Sequence, residues 1–246
     1  MKNYRPFQFK QFSLEHSRSA LKVGVDATLL GAWCSVPETG RVMDVGTGCG
    51  IIALMVAQRA PLSIITGIDI DTPSLRDADD NISSSPFSER VNTIEGNFCD
   101  YPFSVNYHLI VSNPPFFDSG VSEITDSRLA ARHQSSLPFS LLIGKSAGLL
   151  LPGGRLALIL PLEFKEIVCN IADKNQLNLN RSTIVQGNPN VKPKRILIEW
   201  EKPSECKEEG IEWSSPNTDA LLILESSPGL PTEEYRTLCR DFYLKF

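Results

Sequence analysis

Between Arg41 and Leu160 the chain alternates short apolar runs with segments whose apolar residues recur at helical spacing. The pattern predicts a strand over 41–45, a glycine turn, a helix over 51–59 and a β-branched strand over 63–68 that ends at Asp69. Pro73 falls in the first turn of a helix reaching about Asn81, and 91–95 and 107–112 read as a third and a fourth strand. Pro138 opens a helix over 139–150, Pro152-Gly153-Gly154 turns the chain, and a fifth strand over 155–160 precedes a helix near 162–174. Repeated strand–helix units imply a parallel sheet with helices on both faces, an α/β fold.

After Asn175 the pattern changes. Segments 179–186, 196–200 and 220–224 read as strands with no long helix between them, which predicts antiparallel additions at one sheet edge. Pro231 then precedes a closing helix over 232–243. Residues 1–40 hold no strong strand and are expected to cap the sheet's carboxyl edge. With no repeat, low-complexity tract or linker, one domain over 1–246 is expected, with 1–40 as the cap and 41–246 as the core.

Composition adds limits. With 41% hydrophobic and 22% charged residues in 246, the chain is ordinary globular material, and no apolar stretch approaches the roughly 20 residues that span a bilayer. The mixed segment from Met1 to Lys10 lacks the apolar core of a signal peptide, so a cytoplasmic protein with no membrane partner is expected, and a monomer is favoured. Six scattered cysteines with no CxxC and no nearby histidine suggest reduced thiols, neither a metal site nor a disulfide framework. A net charge of −5 argues against holding nucleic acid by overall charge, but basic residues cluster in 2–22 and at Lys192, Lys194 and Arg195.

The chemistry gathers at strand ends. Asn113-Pro114-Pro115-Phe116 follows the fourth strand and would stand at the carboxyl edge, where open α/β sheets bind ligands. The Asn113 amide oxygen and the Pro114 carbonyl are two acceptors, the prolines fix φ, and Phe116 offers a flat face. Such a clamp suits a planar amine on an aromatic base, or an amide. The first strand ends in Asp44-Val45-Gly46-Thr47-Gly48-Cys49-Gly50, whose alternate glycines let the backbone approach a ligand. The third glycine is misplaced for a dinucleotide fingerprint, which disfavours a nicotinamide cofactor.

This D-x-G-x-G-x-G turn resembles the first motif of class I S-adenosylmethionine-dependent methyltransferases. The resemblance implies a Rossmann-like three-layer sandwich and S-adenosyl-L-methionine as cofactor. It places Asp69 at the ribose hydroxyls, with Asp71 as a second contact. Asn97 and Phe98 fall at the cofactor's adenine, with Asn97 where the class commonly has Asp. In amino-methyltransferases with Asn/Asp-Pro-Pro-aromatic, the clamp holds the target amine, so Asn113, Pro114, Pro115 and Phe116 are the expected catalytic set. No general base is required, and His16, His108 and His133 are read as packing or surface residues.

Phe9-Lys10-Gln11-Phe12, His16, Lys22-Val23-Gly24-Val25-Asp26 and Leu29-Leu30-Gly31-Ala32-Trp33 look like the start of the bacterial tRNA1(Val) (adenine-37-N6)-methyltransferase family, a likeness that extends to Arg240-Asp241-Phe242-Tyr243-Leu244. It implies N6-methylation of an adenine in the anticodon loop of a tRNA. Lys22, Gly24 and Asp26 would close over the cofactor, Phe116 and Phe117 would receive the base, and Lys192, Lys194 and Arg195 would meet the RNA backbone. Relatives that methylate release-factor glutamine or the N2 of rRNA guanine share the clamp and differ chiefly in the N-terminal segment.

Overall fold

The computed structural model describes residues 5–19, 23–114, 137–204 and 217–246. Two short strands, β1 (Phe7–Gln8) and β2 (Ser13–Leu14), form a hairpin and are followed by α1 (Val25–Trp33). The alternating portion comprises β3 (Thr39–Val45), α2 (Ile51–Arg59), β4 (Leu62–Asp69), α3 (Thr72–Ser83), β5 (Val91–Glu95) and β6 (Tyr107–Ser112). It continues through α4 (Phe139–Leu149), β7 (Leu150–Pro161), a 3₁₀ turn (Leu162–Phe164) and α5 (Lys165–Lys174). Next come β8 (Asn178–Gln186), β9 (Arg195–Glu201), β10 (Asn217–Ile223), the small pair β11 (Glu225–Ser227) and β12 (Leu230–Pro231), and α6 (Glu233–Cys239).

Eight strands make one sheet in the order β10-β8-β9-β7-β6-β3-β4-β5. Among the described residues, only β9 runs against its neighbours in this sheet. It pairs antiparallel with both β7 and β8, whereas β10 pairs parallel with β8. The expectation of antiparallel edge strands thus holds for β9, and β10 is the exception. The chain leaves β3 for β4 and β5 on one side, then returns to place β6 on the other. That reversal opens a crevice beyond the carboxyl ends of β3 and β6, where Val45 lies opposite Ser112.

Neighbouring residues of the central strands face opposite layers. Val42, Leu109 and Ala157 join a core built with α1, α2, α3 and α6; Met43, Ile110 and Leu158 join one built with α4 and α5. Burial on both faces explains why these strands read as continuous apolar runs.

Helix α1 covers part of a sheet face, and its burial from Ala27 to Trp33 leaves no polar stripe by which to recognise it in the sequence. Phe9 bridges to Tyr243, and its ring lies among those of Phe7, Phe12, Phe242 and Tyr243. Phe9 and Phe242 belong to the same core cluster as α2, so residues from both ends of the chain share that core.

Candidate active site

Asp44 ends the apolar part of β3 fully buried beneath the glycine turn. Its Oδ2 accepts from the Thr47 hydroxyl (2.7 Å) and the Ala53 amide (3.1 Å), while Oδ1 has no partner among the described residues. Burial pushes this carboxyl up to about 7, and the nearby Asp69 charge adds to the shift. Gly46, Gly48 and Gly50 all have positive φ (72°, 55° and 84°). A Cβ on Gly46 or Gly48 would meet no described residue within 4 Å, so among the described residues glycine is required there for conformation and the cradle has open space beside it. The Gly46 and Thr47 amides both donate to Ile68 O (2.8 and 3.1 Å), which ties the turn to the end of β4.

Asp69 Oδ2 accepts from the Gly48 amide (2.8 Å) and Oδ1 from the Asp71 amide (2.9 Å). Each oxygen keeps lone-pair capacity, and the carboxylate lies against the glycine turn. Asp71 does not share that position. It caps α3, its Oδ2 accepting from the Ser74 amide and hydroxyl. Between the two acids Ile70 is 70% exposed, an apolar side chain at the mouth of the crevice that no sequence motif marks. Asn97 is also engaged locally, since its Oδ1 accepts from the Cys99 amide (3.0 Å) and its Nδ2 donates to Asp100 (2.7 Å). Phe98 is buried in the α4 and α5 core.

At the end of β6 the buried Ser112 hydroxyl donates to Val45 O (2.7 Å), fastening the clamp's entry to the strand that carries the glycine turn. Asn113 follows half-buried and Pro114 buried. Adjacent strands stand roughly 5 Å apart, so the Asn113 backbone leaves the sheet beside Gly46. Pro115, Phe116, Phe117, Lys22 and His133 lie outside the described residues. His108 is a packing residue, its Nδ1 accepting from the Arg41 amide and its ring filling the space beside Gly40.

Two residues expected in different roles meet each other. Arg195 Nε donates to Asp26 Oδ2 at 2.8 Å, with both side chains about two-thirds buried. This pair binds the first turn of α1 to the start of β9. Gly24, extended at φ −118°, is the N-cap of α1. Lys192 and Lys194 are exposed on the connection leading into β9, whose first residue lies opposite Pro161 at the carboxyl edge. Strand β9 lies two places from β6, roughly 10 Å away.

Buried polar residues of α3 also shape the site. Asp77 Oδ2 accepts from the Arg18 amide (2.9 Å) and from the Ser19 amide (2.8 Å) and hydroxyl (2.9 Å). Asn81 accepts from the Glu15 amide and donates to the carbonyls of Glu15 and Cys49. Together they moor residues 15–19 to α3, and Asn81 also reaches the glycine turn. No local motif announces such long-range partners. Among the described residues no cluster of potential metal ligands occurs, and no helix is long and apolar enough to cross a membrane.

The family model described as "Methyltransferase small domain" matches residues 17–161. A predicted O-methyltransferase of Agrobacterium tumefaciens has a similar fold, with a TM-score of 0.66 at 19% identity over 88% of this chain and 96% of that one. A putative class I S-adenosylmethionine-dependent methyltransferase of Listeria monocytogenes gives 0.57 at 15% identity, covering 87% and 67%. Sheet order, glycine turn and these likenesses define a class I S-adenosylmethionine-dependent methyltransferase. The chain is 39% identical to the tRNA1(Val) (adenine(37)-N6)-methyltransferase of Parabacteroides distasonis, over 97% of this chain and 98% of the relative. It is 38% identical to the protein of the same description in Porphyromonas gingivalis, over 96% and 94%. It belongs to that tRNA adenine-N6 methyltransferase family.

Proposed function

We propose that this enzyme transfers a methyl group from S-adenosylmethionine to the N6 amine of adenine 37 in tRNA1(Val), working as a single domain. The observation that carries the mechanism is the exit of Asn113 and Pro114 beside the glycine turn, with Ser112 bound to Val45. The cofactor suits the residues present: the open cradle at Gly46 and Gly48 admits a close ligand, and the orphaned Asp44 Oδ1 suits a cationic one. Asp69 would receive the ribose diol, and Ile70 with the turn at Asn97 and Phe98 would border the base. Bound there, the cofactor supplies an activated sulfonium methyl.

The residues of the chain supply position. The Asn113 amide oxygen and the Pro114 carbonyl accept the two N–H bonds of the adenine amine, which turns its lone pair towards the methyl. Held in near-attack geometry the amine needs no general base, since the methylated nitrogen becomes acidic and releases its proton to solvent. The target base must leave its stack, which costs least in an RNA loop, and Phe116 gives it a stacking surface. Lys192 and Lys194 would meet the RNA backbone.

Incubating the protein with labelled S-adenosylmethionine and unmodified total tRNA, then digesting to nucleosides, tests the reading. N6-methyladenosine in one tRNA species is the expected result. Label in protein or in guanosine would overturn it in favour of the glutamine or guanine chemistries.

A further inference from the structure

The turn following β5 is held by a lysine from another element. Lys145, on α4, donates to Cys99 O and Tyr101 O, both at 2.7 Å. Its ammonium lies 5.7 Å from the Phe98 ring centroid and 5.1 Å from that of Phe103. The amides of Asp100 and Tyr101 both donate to Asn97 O, so the turn closes on itself; Tyr101 O, which also accepts from the Phe103 amide at 3.1 Å, gives its second lone pair to Lys145. The closure is tight, since a Cβ on Gly96 would come within 3.1 Å of the Tyr101 ring. Gly96 N donates to Asp69 O at 2.9 Å, which joins the same turn to the strand end that carries Asp69.

We propose that Lys145 is a positioning residue for the cofactor's base: by gathering the Cys99 and Tyr101 carbonyls it fixes Asn97 and Phe98 relative to Asp69. This rests on the cofactor reading above. One ammonium serves two carbonyls that would otherwise repel each other, and charge-assisted bonds partly shielded by aromatic rings are stronger than neutral ones. Lys145→Met keeps the unbranched stem, one atom shorter, and removes every donor. Lys145→Gln keeps two N–H donors without the charge.

The test pairs cofactor binding with amide hydrogen exchange. In Lys145→Met, exchange at Asp100 and Tyr101 should quicken, the calorimetric Kd and the KM for S-adenosylmethionine should rise about tenfold, and kcat should stay within about twofold. Lys145→Gln, a milder variant that guards against a misfolded Met form, should show a rise of about threefold. Faster exchange with unchanged Kd would make Lys145 a merely structural residue and overturn the proposal, as would a loss of kcat at constant KM. If the unaltered enzyme fails to bind S-adenosylmethionine, the cofactor reading falls first and this inference with it. Binding by the unaltered enzyme with an unmoved Kd in both variants removes the Lys145 role alone.

Discussion

Asp44 is a carboxylate that folding discourages from ionising. Burial is the main cause and the charge of Asp69 adds to it, while the bonds from Thr47 and Ala53 oppose it; the result is a shift from an ordinary 3.8 to about 7. A raised folded-state value means that the native protein holds its proton where the unfolded chain has lost it. Stability of the cofactor-free protein therefore falls as pH climbs from about 4 to 7, by at most about 4 kcal/mol from this group, and levels off above. Thermal unfolding scans between pH 5 and 8 should show that decline, and Asp44→Asn should flatten it. An unaltered slope in the variant would assign the pH dependence to other groups. Under the proposed mechanism Asn113 acts on rate instead. Asn113→Ala removes one of two acceptors that orient the amine, so kcat should drop by at least about 100-fold while cofactor Kd stays within a few-fold by calorimetry. Such roles are legible in sequence where a residue type is rare in its setting: glycines at alternate positions, or Asn before two prolines. The local bonds of Asp71 and Asn97 are not legible in the same way: each side chain also serves as acceptor for a helix start or a turn beside it.

At the level of elements, βα alternation is readable because each strand is a short run buried on both faces and each helix follows a turn signal. The reversed β9 is readable from the missing crossover helix. The direction of β10 is not, since strand direction depends on the route of the connection and not on the strand's own residues. Helix α1 is hidden by its uniform burial. Its C-terminal end is held by a buried charge network: Glu199, fully buried on β9, accepts from the Ser35 amide and hydroxyl, from Asn180 and from Arg181, and lies 3.6 Å from Arg155. Arg181 in turn lies 4.0 Å from the Trp33 ring centroid. Glu199→Ala strands the Ser35 and Asn180 donors and takes from Arg181 its carboxylate partner, while Arg155 keeps Glu201 at 2.9 Å, so about 3–5 kcal/mol of unfolding free energy should be lost in urea titrations. A cost below about 1 kcal/mol would mean that solvent already shares the network.

Over the whole molecule, a chain of net charge −5 has to bind a polyanion through a local field. The carboxyl edge concentrates the means: the clamp leaves β6 there, and Lys192 and Lys194 stand exposed two strands away. Arg195 differs from the two lysines in that its guanidinium pairs with Asp26 and holds α1 to β9. The distinction can be measured. Removing one cation from a phosphate should lower the slope of log K against log salt by about 0.7–0.9. Lys192→Ala with Lys194→Ala should therefore weaken tRNA binding almost uniformly across sequences and reduce the slope by about 1.5. Arg195→Ala should leave the slope nearly unchanged while lowering the melting temperature, since it frees Asp26 from its partner. A slope that falls with Arg195 and not with the lysines would mean that RNA displaces Asp26 from the guanidinium. In that event the start of β9, rather than the loop before it, is where the enzyme grips its substrate.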